Sequence, residues 1–145
     1  MNETEIRATV HRFMDAWNAK DLGTFTACFV EEGDFVNVLG QKADGAEAIA
    51  KMHQHAFETV QRKSTLQLKR LEIRRLSNCL AGVDFWWKVV GSLSPEGEQM
   101  PERVGLIYFV IDGDQGKIIT GRNADYSEKR YHTSDASDGN SVSSA

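Results

Sequence analysis

The stretch Gly33–Phe57 constrains this chain most, because it changes period once and carries its own punctuation. In Asp34–Leu39, alternation puts Phe35, Asn37 and Leu39 on one face of a strand and Asp34, Val36 and Val38 on the other. Gly40 and Gly45 bracket a turn, and Asp44 followed by Glu47 has the spacing of a capping box. A helix is then expected to about Thr59, with Ile49, Met52, His53, Ala56, Phe57 and Val60 on one stripe and His55 turned to solvent. A strand bent back onto an amphipathic helix needs a cover for that stripe, so the rest of the chain must close around it.

The flanking segments supply that cover. Ile6, Val10, Phe13, Met14 and Trp17 recur at helical spacing over residues 3–20. Asp21 is placed to cap a second, shorter helix bearing Leu22, Phe25, Cys28 and Phe29. From Ser64 onward the period is two. Leu66 and Leu68 share one parity and Leu71 and Ile73 the other, which predicts a bulge near Lys69–Arg70. Asn78, the stretch Gly91–Met100 and Asp112–Gly116 read as turns or loops between Leu80–Val90, Val104–Ile111 and Lys117–Tyr126. Three helices interrupted by a strand, then four long antiparallel strands, make an α+β fold. Leu80–Val90 and Val104–Ile111 are apolar on both faces and need two covers. The helices form one, and a second copy of the chain is the simplest other, giving a two-fold homodimer through the outer sheet face.

With 145 residues the chain is sized for one domain, able to bury roughly 68–70% of its unfolded surface without a metal or disulfide. We expect that domain over 1–128, followed by a disordered tail over 129–145, since Thr133–Ala145 is Ser-, Asp-, Gly- and Asn-rich. The net charge of -4 argues against a nucleic-acid binder. The cluster of Lys69, Arg70, Arg74 and Arg75 is read as a solvated strand face. No apolar run reaches the ~18 residues of a membrane span, and the N-terminus lacks a signal-peptide pattern. Cys28 and Cys79 sit in apolar surroundings without metal-ligand spacing and read as buried thiols, so a cytoplasmic location is expected. No Gly-rich phosphate loop, His-x-x-x-His pair or Gly-x-Ser-x-Gly elbow appears, so neither cofactor nor metal is expected.

Trp17-Asn18-Ala19-Lys20-Asp21, then Gly33-Asp34-Phe35-Val36-Asn37-Val38-Leu39-Gly40, then His53, Phe57, Trp87, Gly91 and Asn123 carry a resemblance. Over roughly residues 3–127 the chain resembles the nuclear transport factor 2-like superfamily, whose cystatin-like cone is shared by ketosteroid isomerase and SnoaL-like polyketide cyclases. Within it the chain most resembles SgcJ/EcaC-type proteins. Gly116 departs from that pattern, where an aromatic would be expected at the start of the last strand. The resemblance implies a cone-shaped α+β barrel of three helices on a curved, mostly antiparallel sheet. It also implies a pocket between helices and sheet, and a dimer. It implies no single activity, because the fold hosts enzymes, binding proteins and oligomerisation modules.

The isomerase mechanism of the superfamily needs a carboxylate base and two donors. On the alignment the resemblance suggests, the base position falls on Asn37 and the tyrosine position on Phe13, and Val104–Ile111 contains no Asp or Glu. That mechanism is therefore not expected. His53 remains the residue able to serve as acid or base near neutrality. It either packs as a hydrogen-bonded core residue or works with Asp34 or Asn37. Asn37, Trp17, Phe57, Trp87, Tyr108 and Asn123 are the candidate ligand contacts, and Trp86 is a further aromatic available to wall an apolar pocket. Gly121 permits a close approach by a ligand or by Trp87, while Arg103 and Arg122 are read as surface cations. Three functions are compatible with these residues. One is a pocket protein for an apolar or aromatic metabolite. A second is an acid–base enzyme acting on a carbonyl or polyketide-type compound through His53 and Asp34. A third is a dimerisation module without ligand.

Overall fold

The computed structural model describes residues 2–127; the expected tail lies outside them. Helix α1 (Glu3–Ala19) starts where the Asn2 side chain accepts the Thr4 N–H at 2.7 Å, and it buries Ile6, Val10, Phe13 and Ala16. It stops at Lys20, whose φ of 56° is left-handed. Lys20 is held there by its ammonium, which donates to the Ser64 carbonyl at 2.8 Å and sits 3.8 Å above the Trp17 ring. Helix α2 (Leu22–Ala27) has Asp21 as its cap, accepting from Thr24 N–H at 3.1 Å, as its sequence position predicts.

Three expectations need correction here. Phe29 belongs to strand β1 (Phe29–Val36), not to the second helix. Strand β2 (Lys42–Asp44) pairs with β1 where only a turn was expected, opposing Asp34 to Asp44. Asp44 is thereby committed to the sheet, and Gly45, at φ 91°, becomes the first residue flanking α3 (Ala46–Glu58), without any side-chain cap. No capping box forms. A φ in that range suits glycine, and the Gly45 N–H donates instead to the Gly33 carbonyl at 2.6 Å.

Strands β3 (Thr65–Arg75), β4 (Leu80–Val90), β5 (Arg103–Asp112) and β6 (Lys117–Tyr126) complete one sheet of order β2-β1-β6-β5-β4-β3. All neighbours are antiparallel except β1 and β6, which run parallel. The register of β3 on β4 shifts between Leu68 and Arg70, so Leu66, Leu68, Leu71 and Ile73 all reach the same face despite their change of parity. The three helices lie on that inner face, making the α+β cone. Phe13 of α1 is its centre, with ring centroids 4.9 Å from Phe25, 5.0 Å from Phe109 and 6.3 Å from both Phe29 and Phe85.

Candidate functional site

The inner face and the helices do not meet everywhere. Between them lies a cavity of about 620 Å³, open to solvent, within the range small-molecule sites occupy. Phe13 and Trp17 of α1, Met52 and His53 of α3, and Phe35, Trp87 and Ile107 of the sheet form much of its wall. The loop joining β4 to β5 closes one side through Leu93, Pro95 and Met100. That loop is moored to the segment after α3, with the Leu93 N–H on the Val60 carbonyl at 2.8 Å and the Ser92 hydroxyl on Gln61 Oε1 at 2.9 Å. Leu39, 77% exposed, and Met100, 44% exposed, stand at the mouth as apolar tips.

The polar lining is sparse. His53 is 8% exposed, its ring 4.5 Å from that of Phe25, 5.2 Å from Phe35 and 6.1 Å from Phe57. Its Nδ1 is 2.9 Å from the Ile49 carbonyl oxygen one turn back. Burial holds its pKa down to about 4, so the imidazole is neutral at pH 7. Asn123, which lines the cavity, is oriented by its Oδ1, which accepts from Trp87 Nε1 at 2.8 Å. Arg103 reaches the same wall, 3.0 Å from Asp125 and with its guanidinium 5.7 Å from the Trp87 ring centroid. No Asp or Glu among the described residues lines the cavity.

The structure brings together His53, Trp17, Trp87, Asn37 and Asn123 from the expected set, and separates three others. Asp34 does not meet His53. Phe35 points inward, so alternation turns Asp34 to the outer face, where it accepts from Arg122 at 2.8 Å and from Thr120 and lies 3.7 Å from Lys42. The Arg122 hydrogen bond is the main reason its carboxyl is held at about 2. The proposed His53–Asp34 acid–base pair is therefore absent. Tyr108 is also turned outward, between inward-facing Ile107 and Phe109, and its hydroxyl covers Gly82. Phe57 is core, stacked edge-on at 5.8 Å behind Trp17. Asn37 lines the mouth, but its side chain is occupied by its own turn, accepting from the Leu39 and Gln41 N–H groups at 3.0 Å and donating to Gln41 Oε1.

Gly121 makes room for Phe35 and not for Trp87, since a Cβ there would sit 2.9 Å from the Phe35 ring. Trp87 instead lies across Gly105, its partner on β5. Of the two cysteines, Cys28 is buried and Cys79 only half-buried; both are free thiols. Arg103 and the β4–β5 loop are among the lining groups that sequence reading left outside the site. The apolar Leu93 and Met100 within a polar loop were the available signal.

These features define a class of protein: an α+β cone with an open, mostly apolar cavity between its helices and its sheet. A family model for the SnoaL-like domain matches residues 10–119, and the chain belongs to that family. Among solved structures, the chain is similar to an uncharacterised protein with a cystatin-like fold from Caulobacter vibrioides. The TM-score is 0.80 at 22% identity, covering 88% of this chain and 91% of that one. A cystatin-like domain of unknown function from Nostoc punctiforme matches with TM-score 0.75 at 29% identity, covering 88% and 80%. A ketosteroid isomerase-like protein from Erwinia carotovora atroseptica matches with TM-score 0.72 at 16% identity, covering 86% and 95%. No curated protein matches the chain.

Proposed function

We propose that this protein is a SnoaL-like pocket protein, of the SgcJ/EcaC type, that binds a small, mostly apolar or aromatic metabolite without acid–base turnover. The observation that supports it most is the lining: an open cavity of about 620 Å³ with apolar walls and no carboxylate among the described residues. Ketosteroid isomerase-like proton transfer needs a base there. Asn37 and Phe13 occupy the cavity in its stead, Asp34 is on the far side of the sheet, and His53 is a weak base with one nitrogen committed to Ile49.

The test is mass spectrometry of what the purified protein releases on denaturation, paired with thermal melts against a panel of aromatic compounds. A co-purifying apolar molecule, or a concentration-dependent rise in melting temperature, is the expected result. A protein that carries nothing and is shifted by no compound of a size to fit is a module without ligand.

The same reading gives the outer sheet face to a second copy of the chain. Trp86, Leu106, Tyr108 and Val110 remain half-buried there on adjacent strands, with no helix among the described residues above them. A cytoplasmic location accords with two unpaired thiols. No helix among the described residues is long and apolar enough to cross a membrane.

A further inference from the structure

His53 offers the cavity a single unmet polar atom. A backbone carbonyl only accepts hydrogen bonds, so the contact with Ile49 requires the proton on Nδ1 and leaves a lone pair on Nε2. Nε2 has no hydrogen-bond partner among the described residues. Yet no side-chain nitrogen or oxygen among them is both sealed from solvent and unpartnered. Nε2 therefore keeps an accessible face, and the space that His53 lines is the cavity. Around the imidazole stand Phe25, Phe35 and Phe57, none of which can donate. An acceptor set in an aromatic wall is an incomplete hydrogen bond, and a bound molecule that covers it without donating leaves it stranded.

We propose that the cavity selects hydroxyl-bearing ligands, a phenol, enol or alcohol on an apolar ring body, with the O–H donated to His53 Nε2. This rests on the pocket reading above and adds its selectivity. A site built to hydrogen-bond a hydroxyl discriminates against the analogue lacking one, because the site's own polar group is then left unpaired. A ketone at that position is worse still, since it brings a second acceptor against the first.

Isothermal titration at pH 7 with 2-naphthol and 2-methoxynaphthalene isolates the donor, because the two share a ring body and only the first has an O–H. Wild type should bind 2-naphthol about 5–10-fold tighter. The His53→Leu variant should bind both alike, and His53→Gln, whose amide oxygen can accept, should keep part of the preference. Equal affinities in wild type, or a preference undiminished in His53→Leu, overturn the proposal while leaving a pocket protein. The wild-type comparison stands without either variant should one fail to fold. Binding of neither compound overturns this inference, while the pocket reading stands or falls on the co-purification and melting tests above.

Discussion

His53 carries a stability signature as well as a binding one. Its pKa is about 4 in the folded chain against an ordinary 6.5, because burial penalises the imidazolium. Between those values the unfolded chain binds a proton that the folded chain does not. Stability is thus whole above pH 6.5 and falls as pH drops toward 4, by about 3 kcal/mol. Urea melts from pH 7 to 4.5 should show that slope in wild type and a flatter one in His53→Leu; parallel curves would assign the proton uptake to another group. Asp34 does not confuse the reading, since its lowered pKa, about 2 against 3.8, places its loss of stability in a more acid window. Asn123→Leu should cost about 1–3 kcal/mol by stranding the Trp87 Nε1–H, while Asn123→Asp keeps an acceptor and should cost less. At this scale legibility followed locality. Asp21 caps α2 as its position predicts, because a cap needs only the next three residues. Asp44 does not cap α3, because pairing with Asp34, on the preceding strand, commits it to the sheet first.

Among the elements, β4 and β5 depend on one close approach. A Cβ on Gly105 would lie 2.5 Å from both Trp87 Cε2 and the Ala124 carbonyl oxygen, and the backbone on β6 cannot yield as a side chain can. Gly105→Ala should therefore lower stability by about 1–3 kcal/mol in thermal or urea melts and tilt Trp87 out of the cavity wall. A neutral result would mean the sheet relaxes there freely. Asp34→Asn should weaken the tie between β1 and β6 yet leave binding of any cavity ligand unchanged, since the residue faces the other way; a change in ligand affinity would place it in the site after all. The bulge in β3 was legible from the parity switch between Leu68 and Leu71, because a half-exposed edge strand shows its period. β5 hid its orientation. With apolar residues at both parities, nothing local tells Ile107 from Tyr108, and only the helices choose which face is covered.

For the molecule as a whole, the outer face of β4 and β5, which no described helix covers, makes a prediction about mass. Wild type should sediment as a two-fold dimer at micromolar concentration, and Leu106→Glu, which sets a charge among Trp86, Tyr108 and Val110, should sediment as a monomer with its cavity intact. A monomeric wild type would leave that face to solvent.

Periodicity alone determined that this chain is three helices and a run of antiparallel strands, because burial stripes and alternation are properties of neighbours along the backbone. The resemblance, read residue by residue, put Asn37 where the isomerases carry their base, since a residue type is read directly. Tertiary structure decided which polar groups share a space. Asp34 and His53 are close in sequence logic and opposed in the fold, because a strand sends adjacent side chains to opposite faces and the parallel pairing with β6 gives Asp34 to Arg122. The cavity itself was decided there too, by the distance at which α3 and the β4–β5 loop stand off the sheet, and no pattern within one segment encodes a gap between two.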